Sequence, residues 1–283
     1  VNQPLLGATA ALALGAALAY GLSDFLGGMA SRAQSVWAVA AISQATAAAV
    51  ALPFALATWV APEASTVGWA VLAGVGAGAG NVLVYHGLAS GRMMVVAPVA
   101  ALTSTAVPVV AELLSGRPPS SAAAVGVLAA ATAVWLVSGG SLRTMKKGEG
   151  RDLALGLLAG AGFGTQFTAL GQVPPEAGLT PVALSQIVSV IGIVAIAQVR
   201  RARWLPRRRS AVPMVAGALA GAATLLFQLS AQSGALTVAA VVTSLYPAVT
   251  VILAVAVLRE HITRNQGIGL ALAATAVVLI RSG

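Results

Sequence analysis

Eight side chains in this 283-residue chain combine reactive or polar chemistry with a strongly apolar setting: Asp24, Gln44, Asn81, Tyr85, His86, Glu112, Gln186 and Tyr246. Asp24 and Glu112 are the two acids expected inside long apolar runs. A charge at mid-bilayer costs roughly 2.5–3.5 kcal/mol on insertion scales, so such an acid faces a cavity, finds a partner or stays protonated. Asp24, in YGLSDFLGG, reads either as a proton- or solute-coupling carboxylate or as an interfacial acid near Arg32. Those two residues lie roughly 12 Å apart along a helix, which strains a direct pair. Glu112 has the same two readings, a transport role or a cheap place at the opposite interface.

The uncharged candidates follow the same logic. Asn81 and Tyr85 are four apart and share a helix face, and His86 ends the same run, NVLVYHGLASGR. Histidine titrates near neutrality and can gate or relay protons, though at a helix end it also serves as an interfacial residue. An amide in lipid needs a partner, so Asn81 is either a helix–helix bond or a cavity wall. Gln44 and Gln186 each follow a serine by one position, in AISQ and ALSQ. They read as a matched pair facing each other across a cavity, or as interhelical hydrogen bonds. Gln166 and Gln228 are similar but unmatched. Tyr246, beside Pro247, offers an aromatic wall with a hydroxyl, and the proline is expected to free a backbone carbonyl.

These residues need helices in a membrane to position them. The chain is 58% hydrophobic and only 8% charged, against about 25% charged in soluble domains. It reads as an integral membrane protein without a large soluble domain. The net charge of +9 reads as basic cytoplasmic loops and not as nucleic-acid binding. The absence of cysteine excludes disulfides, zinc–thiolate sites and thiol catalysis. No H-E-x-x-H, P-loop or G-x-S-x-G occurs, and Asp24 and Glu112 are expected near opposite faces, so no enzyme and no cofactor or metal is expected. The start VNQPLLGATA lacks the basic region of a signal peptide and reads as part of a first span, with Val1 suggesting a trimmed or non-AUG start.

Spans of about 20 apolar residues are expected near Leu5–Gly28, Ser35–Val60, Val67–Leu88, Met94–Leu114, Ser121–Ser138, Leu153–Gln172, Pro181–Val199, Val212–Gln232, Val238–Leu258 and Gln266–Ile280. The chain is also written twice. GVLAAATAVWLVSGG (Gly126–Gly140) returns as GLALAATAVVLIRSG (Gly269–Gly283), 143 positions later. LALG (Leu12–Gly15) returns at Leu153–Gly156, AISQ (Ala41–Gln44) as ALSQ (Ala183–Gln186), and Gly74 and Gly78 as Gly217 and Gly221. The expected fold is therefore an all-α integral membrane protein of ten helices, as two inverted five-helix repeats around a central cavity. The repeats occupy residues 1–140 and 153–283, joined by a basic cytoplasmic linker at 141–152. Asp24, Asn81, His86 and Glu112 map onto Thr165, Thr224, Leu229 and Val255. If a proton is coupled, the first half carries it.

Five is odd, so the second copy must run in the opposite sense. With the N-terminus outside, the loops after spans 1, 3, 5, 7 and 9 hold 14 of the 16 basic residues, all but Arg117 and Arg281. The positive-inside rule then places both termini outside, in a plasma membrane or cell inner membrane. Glycines four apart, such as Gly74/Gly78, Gly156/Gly160/Gly164 and Gly217/Gly221, are expected mainly to let helices approach closely.

The architecture resembles the EamA-like members of the drug/metabolite transporter superfamily over essentially the whole chain. The pieces that carry the likeness are Tyr20-Gly21, the Ser-rich entries to the fourth and ninth spans, Pro247, and the ending LREHIT (Leu258–Thr263). The first half departs at LSGRPPS (Leu114–Ser120), where Gly116 stands in place of the acid. The resemblance implies secondary transport of small polar or amphipathic metabolites, such as amino acids or drugs, by alternating access. Export is favoured by the resemblance alone. Import of a sugar-like solute, a lipid-carrier flippase and a non-transporting membrane scaffold are the alternatives. The expected partners are the solute, the lipid bilayer and, where coupling operates, protons. The protein is expected as a monomer or homodimer.

Overall fold

A computed structural model describes residues 3–90, 93–114, 149–206, 211–232, 242–243, 246–259 and 263–282, with isolated helical positions at 125, 126, 128, 129, 132, 133 and 136. Nine helices are bounded among them: α1 (Gln3–Ala33), α2 (Val36–Ala57), α3 (Ala64–Ala89), α4 (Met93–Leu114), α5 (Glu149–Gly171), α6 (Thr180–Val199), α7 (Val212–Gln232), α8 (Tyr246–Leu258) and α9 (Arg264–Ser282). No strand occurs among the described residues. The expected fifth span, Ser121–Ser138, lies largely outside them, as does the first part of the ninth, Val238–Leu258. Of the linker at 141–152, only residues 149–152 are described.

Among the described residues, six helices are long and apolar enough to cross a bilayer: α1, α2, α3, α5, α6 and α7. In α4 and α8 the apolar stretches are shorter, Val95–Val107 and Ala248–Leu258. One boundary differs in a way that matters. The expected sixth span starts at Leu153, whereas α5 starts at Glu149 and carries Asp152 as a buried residue. An acid in a first helical turn is favoured by the helix dipole, so Asp152 extends the helix that the charge run of the linker concealed.

The distribution of side-chain size is the reverse of a soluble protein's. Ala38, Ala40, Ala47, Ala51, Ala70, Ala73 and Ala77 are buried, while Leu56, Trp59, Val75, Ile191, Ile196 and Val199 are exposed. Lipid solvates large apolar groups as well as a core does, so small residues gather where helices touch. This is also why neither face of these helices stands out in sequence: both are apolar, and they differ in volume.

Packing is reciprocal between the two parts of the chain. The helix α3 packs on α5 and α6, and α1 packs on α7 and α8. Likewise α4 packs on α5, and α2 on both α6 and α7. These contacts are more extensive than those between neighbours in sequence. Glycine sets the closest crossings. A Cβ on Gly74 would sit 2.5 Å from the Ser185 carbonyl oxygen, and one on Gly217 would strike the Ser43 carbonyl.

Candidate functional site

Seven helices converge on a narrow cavity of about 30 Å³, room for a water molecule or two. Two of them contribute three residues each with identical spacing. From α1 come Tyr20, Ser23 and Asp24; from α5 come Phe163, Gln166 and Phe167. Positions i, i+3 and i+4 lie on one helix face, so each helix turns a single polar-aromatic face to the cavity. Ala220 and Thr224 of α7 do the same with a spacing of four. Single residues complete the wall: Gln44 of α2, Asn81 of α3, Gln186 of α6 and Tyr246 at the start of α8.

A hydrogen-bonded chain joins the helices across this wall. Gln44 Nε2 donates to Gln186 Oε1 at 2.9 Å and to Ser189 Oγ at 2.7 Å. Gln186 Nε2 in turn donates to Thr224 Oγ1 at 3.4 Å. Thr224 gives its own proton to the Ala220 carbonyl at 2.9 Å, so the Tyr20 hydroxyl, 2.8 Å from Thr224 Oγ1, is the donor of that pair. Both glutamines are only 2% exposed. The serine preceding Gln44 ties α2 to α7, Ser43 Oγ donating to the Pro213 carbonyl at 2.9 Å. Ser23 Oγ ties α1 to α7 through the Ala216 carbonyl at 2.8 Å. The donors of Tyr20, Ser23, Ser43, Gln44 and Thr224 thus all have acceptors, as a low-dielectric interior demands.

Aromatic rings form a connected group on one side. The Tyr20 ring lies 6.1 Å from Phe167, edge-on, and 5.9 Å from Tyr246, and Phe167 lies 5.3 Å from Phe227. The ring of Phe163 packs where a Cβ on Gly80 of α3 would stand. Gly21 lets α8 close against α1, since a Cβ there would sit 2.5 Å from the Tyr246 carbonyl oxygen.

Of the eight residues singled out in the sequence, Asp24, Gln44, Asn81, Gln186 and Tyr246 lie together on the cavity wall. Asp24 is 8% exposed. Asn81 Nδ2 donates to the Ala77 carbonyl of its own helix at 3.0 Å. Tyr85 is fully buried behind the wall, packed where α1 carries Gly27, with its hydroxyl against Ser23 and Ser43. His86 stands apart from the cavity, its Nδ1–H donating to the Val82 carbonyl at 2.7 Å and its ring edge-on to Trp37 at 6.1 Å. Glu112 belongs to α4, and its side chain lies outside the described residues.

Several wall residues were not among those candidates: Tyr20, Ser23, Phe163, Gln166, Phe167 and Thr224. A signal for them exists. The chain has only five phenylalanines and three tyrosines, and F-x-x-Q-F in α5 matches the spacing of Y-x-x-S-D in α1. Asp152 is a further acid within an apolar helix, buried at 5% exposure, and it corrects the expectation that only Asp24 and Glu112 lie in the spans. It lies away from the cavity wall.

Comparison with known proteins bears on the whole arrangement. A protein described only as a crystal structure of a protein superposes with a TM-score of 0.63 at 15% identity, over 96% of this chain and 96% of that one; at such identity the likeness concerns the fold alone. No curated protein matches the sequence. Residues 150–282 match the model of the EamA-like transporter family, which belongs to the drug/metabolite transporter superfamily.

Proposed function

We propose that the protein is a secondary transporter that binds a small polar or amphipathic metabolite in the central cavity and exports it by alternating access. The observation that carries this reading is the cavity itself, walled by residues from both ends of the chain and spanned by the Gln44–Gln186 bond. Those two glutamines are the repeat-related pair, 142 positions apart, so the bond sits where a two-fold relation between the halves would place it. The reciprocal packing of α1 on α7 and α3 on α5 supports the same relation. So do the reciprocal crossings of Gly74 on Ser185 and Gly217 on Ser43. Two inverted five-helix repeats rocking about this pair is the mechanism that follows.

Asp24 is the acid in the wall and the group to carry a coupled proton. Its partner position is Thr165, so coupling would belong to the first half. The basic loops support a plasma-membrane topology with both termini outside.

The test is counterflow in liposomes holding the purified protein, with solutes chosen by a metabolite-resistance screen on overexpressing cells. Ala220→Trp, which fills the cavity, is expected to reduce exchange at least tenfold while the protein stays monodisperse. Undiminished exchange by that variant would remove the cavity from the mechanism. A second reading, a membrane scaffold without transport, is favoured by one observation: Gln44 and Gln186 satisfy each other as a helix–helix bond. It predicts no exchange of any solute and the same stability loss from Gln44→Leu.

A further inference from the structure

The hydrogen-bond accounting of the cavity says what kind of solute it suits. The hydroxyl protons of Tyr20, Ser23 and Thr224 are all spent inside the protein, on Thr224, Ala216 and Ala220 respectively. Both protons of Gln44 Nε2 are spent as well. The acceptors are not. Gln44 Oε1 and Asn81 Oδ1 receive no proton from any described residue, and Asp24 makes no hydrogen bond or ion pair among them. A wall whose hydroxyl donors are occupied and whose oxygens are open favours a solute that brings its own N–H groups.

Charge and shape point the same way. Asp24 is the one formally charged residue of the described wall, which contains no lysine or arginine. An anionic solute would therefore meet a carboxylate and no counter-charge in a low-dielectric site. Beside Asp24 stand the faces and edges of Tyr20, Tyr246 and Phe167. Aromatic rings attract a cation and also accept an apolar body.

Resting on the transport reading above, we propose that the cavity selects a small organic cation, a primary or secondary amine carrying an aromatic or alkyl body, with Asp24 as its counter-charge. The ammonium sits between Asp24, Asn81 Oδ1 and Gln44 Oε1, and the apolar body lies along Tyr20, Phe163 and Phe167. The Gln44–Gln186 bond fixes the open oxygen of Gln44 toward the site, which makes Gln186 a positioning residue.

The test compares three probes that share one ring and differ in charge: radiolabelled 2-phenylethylamine, 2-phenylethanol and phenylacetate. Counterflow is measured with the full-length protein in liposomes, and binding by equilibrium dialysis in detergent. The amine is expected to bind and exchange, and phenylacetate to do neither. Asp24→Asn, nearly isosteric, is expected to weaken amine binding at least tenfold, with partial recovery in Asp24→Glu. Phenylacetate exchanging as well as the amine, or amine binding unchanged in Asp24→Asn, would overturn the inference. So would absence of amine binding to the wild-type protein. None of these results touches the transport reading, which falls only if the screened metabolites fail to exchange or exchange unaffected in Ala220→Trp.

Discussion

At the scale of the residue, the Gln44–Gln186 pair is a fully buried side-chain bond between two helices, 2.9 Å long. Removing one partner leaves the other buried and unpaired, which costs about 1–3 kcal/mol, whereas replacing both with apolar groups of like shape is nearly neutral. Gln44→Leu and Gln186→Leu are each expected to lower stability by that amount in detergent. The double variant should lose less than the sum of the two, as a thermal-unfolding double-mutant cycle would reveal; strict additivity would mean the bond contributes nothing. Asp24 gives the second prediction at this scale. If it carries the coupled proton, Asp24→Asn abolishes gradient-driven transport in liposomes, and gradient-driven rates equal to wild type would remove it as the coupling group.

At the scale of the element, glycine placement decides how closely helices pass. A side chain on Gly217 meets the Ser43 carbonyl, and one on Gly74 meets the Ser185 carbonyl and Val188. Backbone cannot yield as a flexible side chain can, so overpacking costs about 1–3 kcal/mol or prevents assembly. Gly217→Val and Gly74→Val are expected to lower the melting temperature sharply. Gly192, with nothing within 4 Å of its Cβ position, should tolerate alanine and gain a few tenths to about 1 kcal/mol of helix propensity. Equal effects at Gly192 and Gly217 would show that the crossings are not tight.

At the scale of the whole molecule, sidedness is the testable property. The chain has no cysteine, so a single introduced cysteine reports alone. Arg203→Cys is expected to react with an impermeant maleimide only from the cytoplasmic side, and Ala61→Cys only from outside. Labelling in the opposite sense would invert the proposed topology. The exposed Leu56, Trp59, Ile191 and Val199 cover the outer surface with apolar groups, which in water would be an aggregation face and in lipid is the ordinary solvation of a spanning helix.

Much of this was legible in the amino-acid sequence. Hydropathy located the helices because the bilayer requires about 20 apolar residues per crossing whatever their neighbours. The bounds of α7 coincide with expectation, and those of α2, α3, α4 and α6 fall within a few residues. The pairing of Gln44 with Gln186 was legible as two readings, because a repeated Ser-Gln at one offset names partners without saying whether they touch. Asp24 stood out because a carboxylate in an apolar run is costly. What stayed hidden was the face each helix turns inward. In a soluble helix that face is marked by polarity, but here both faces are apolar and differ only in side-chain volume. Tyr20, Phe163 and Phe167 therefore blended into the hydrophobic run, and His86 and Tyr85 drew attention by chemistry although one lies apart from the cavity and the other behind its wall. The sequence by itself determined the run of apolar helices and the charge of the loops between them, since these depend on local transfer free energies. Only the tertiary structure decided which polar atoms are spent on one another and which remain open to a solute, because that depends on hydrogen bonds between residues up to about two hundred positions apart.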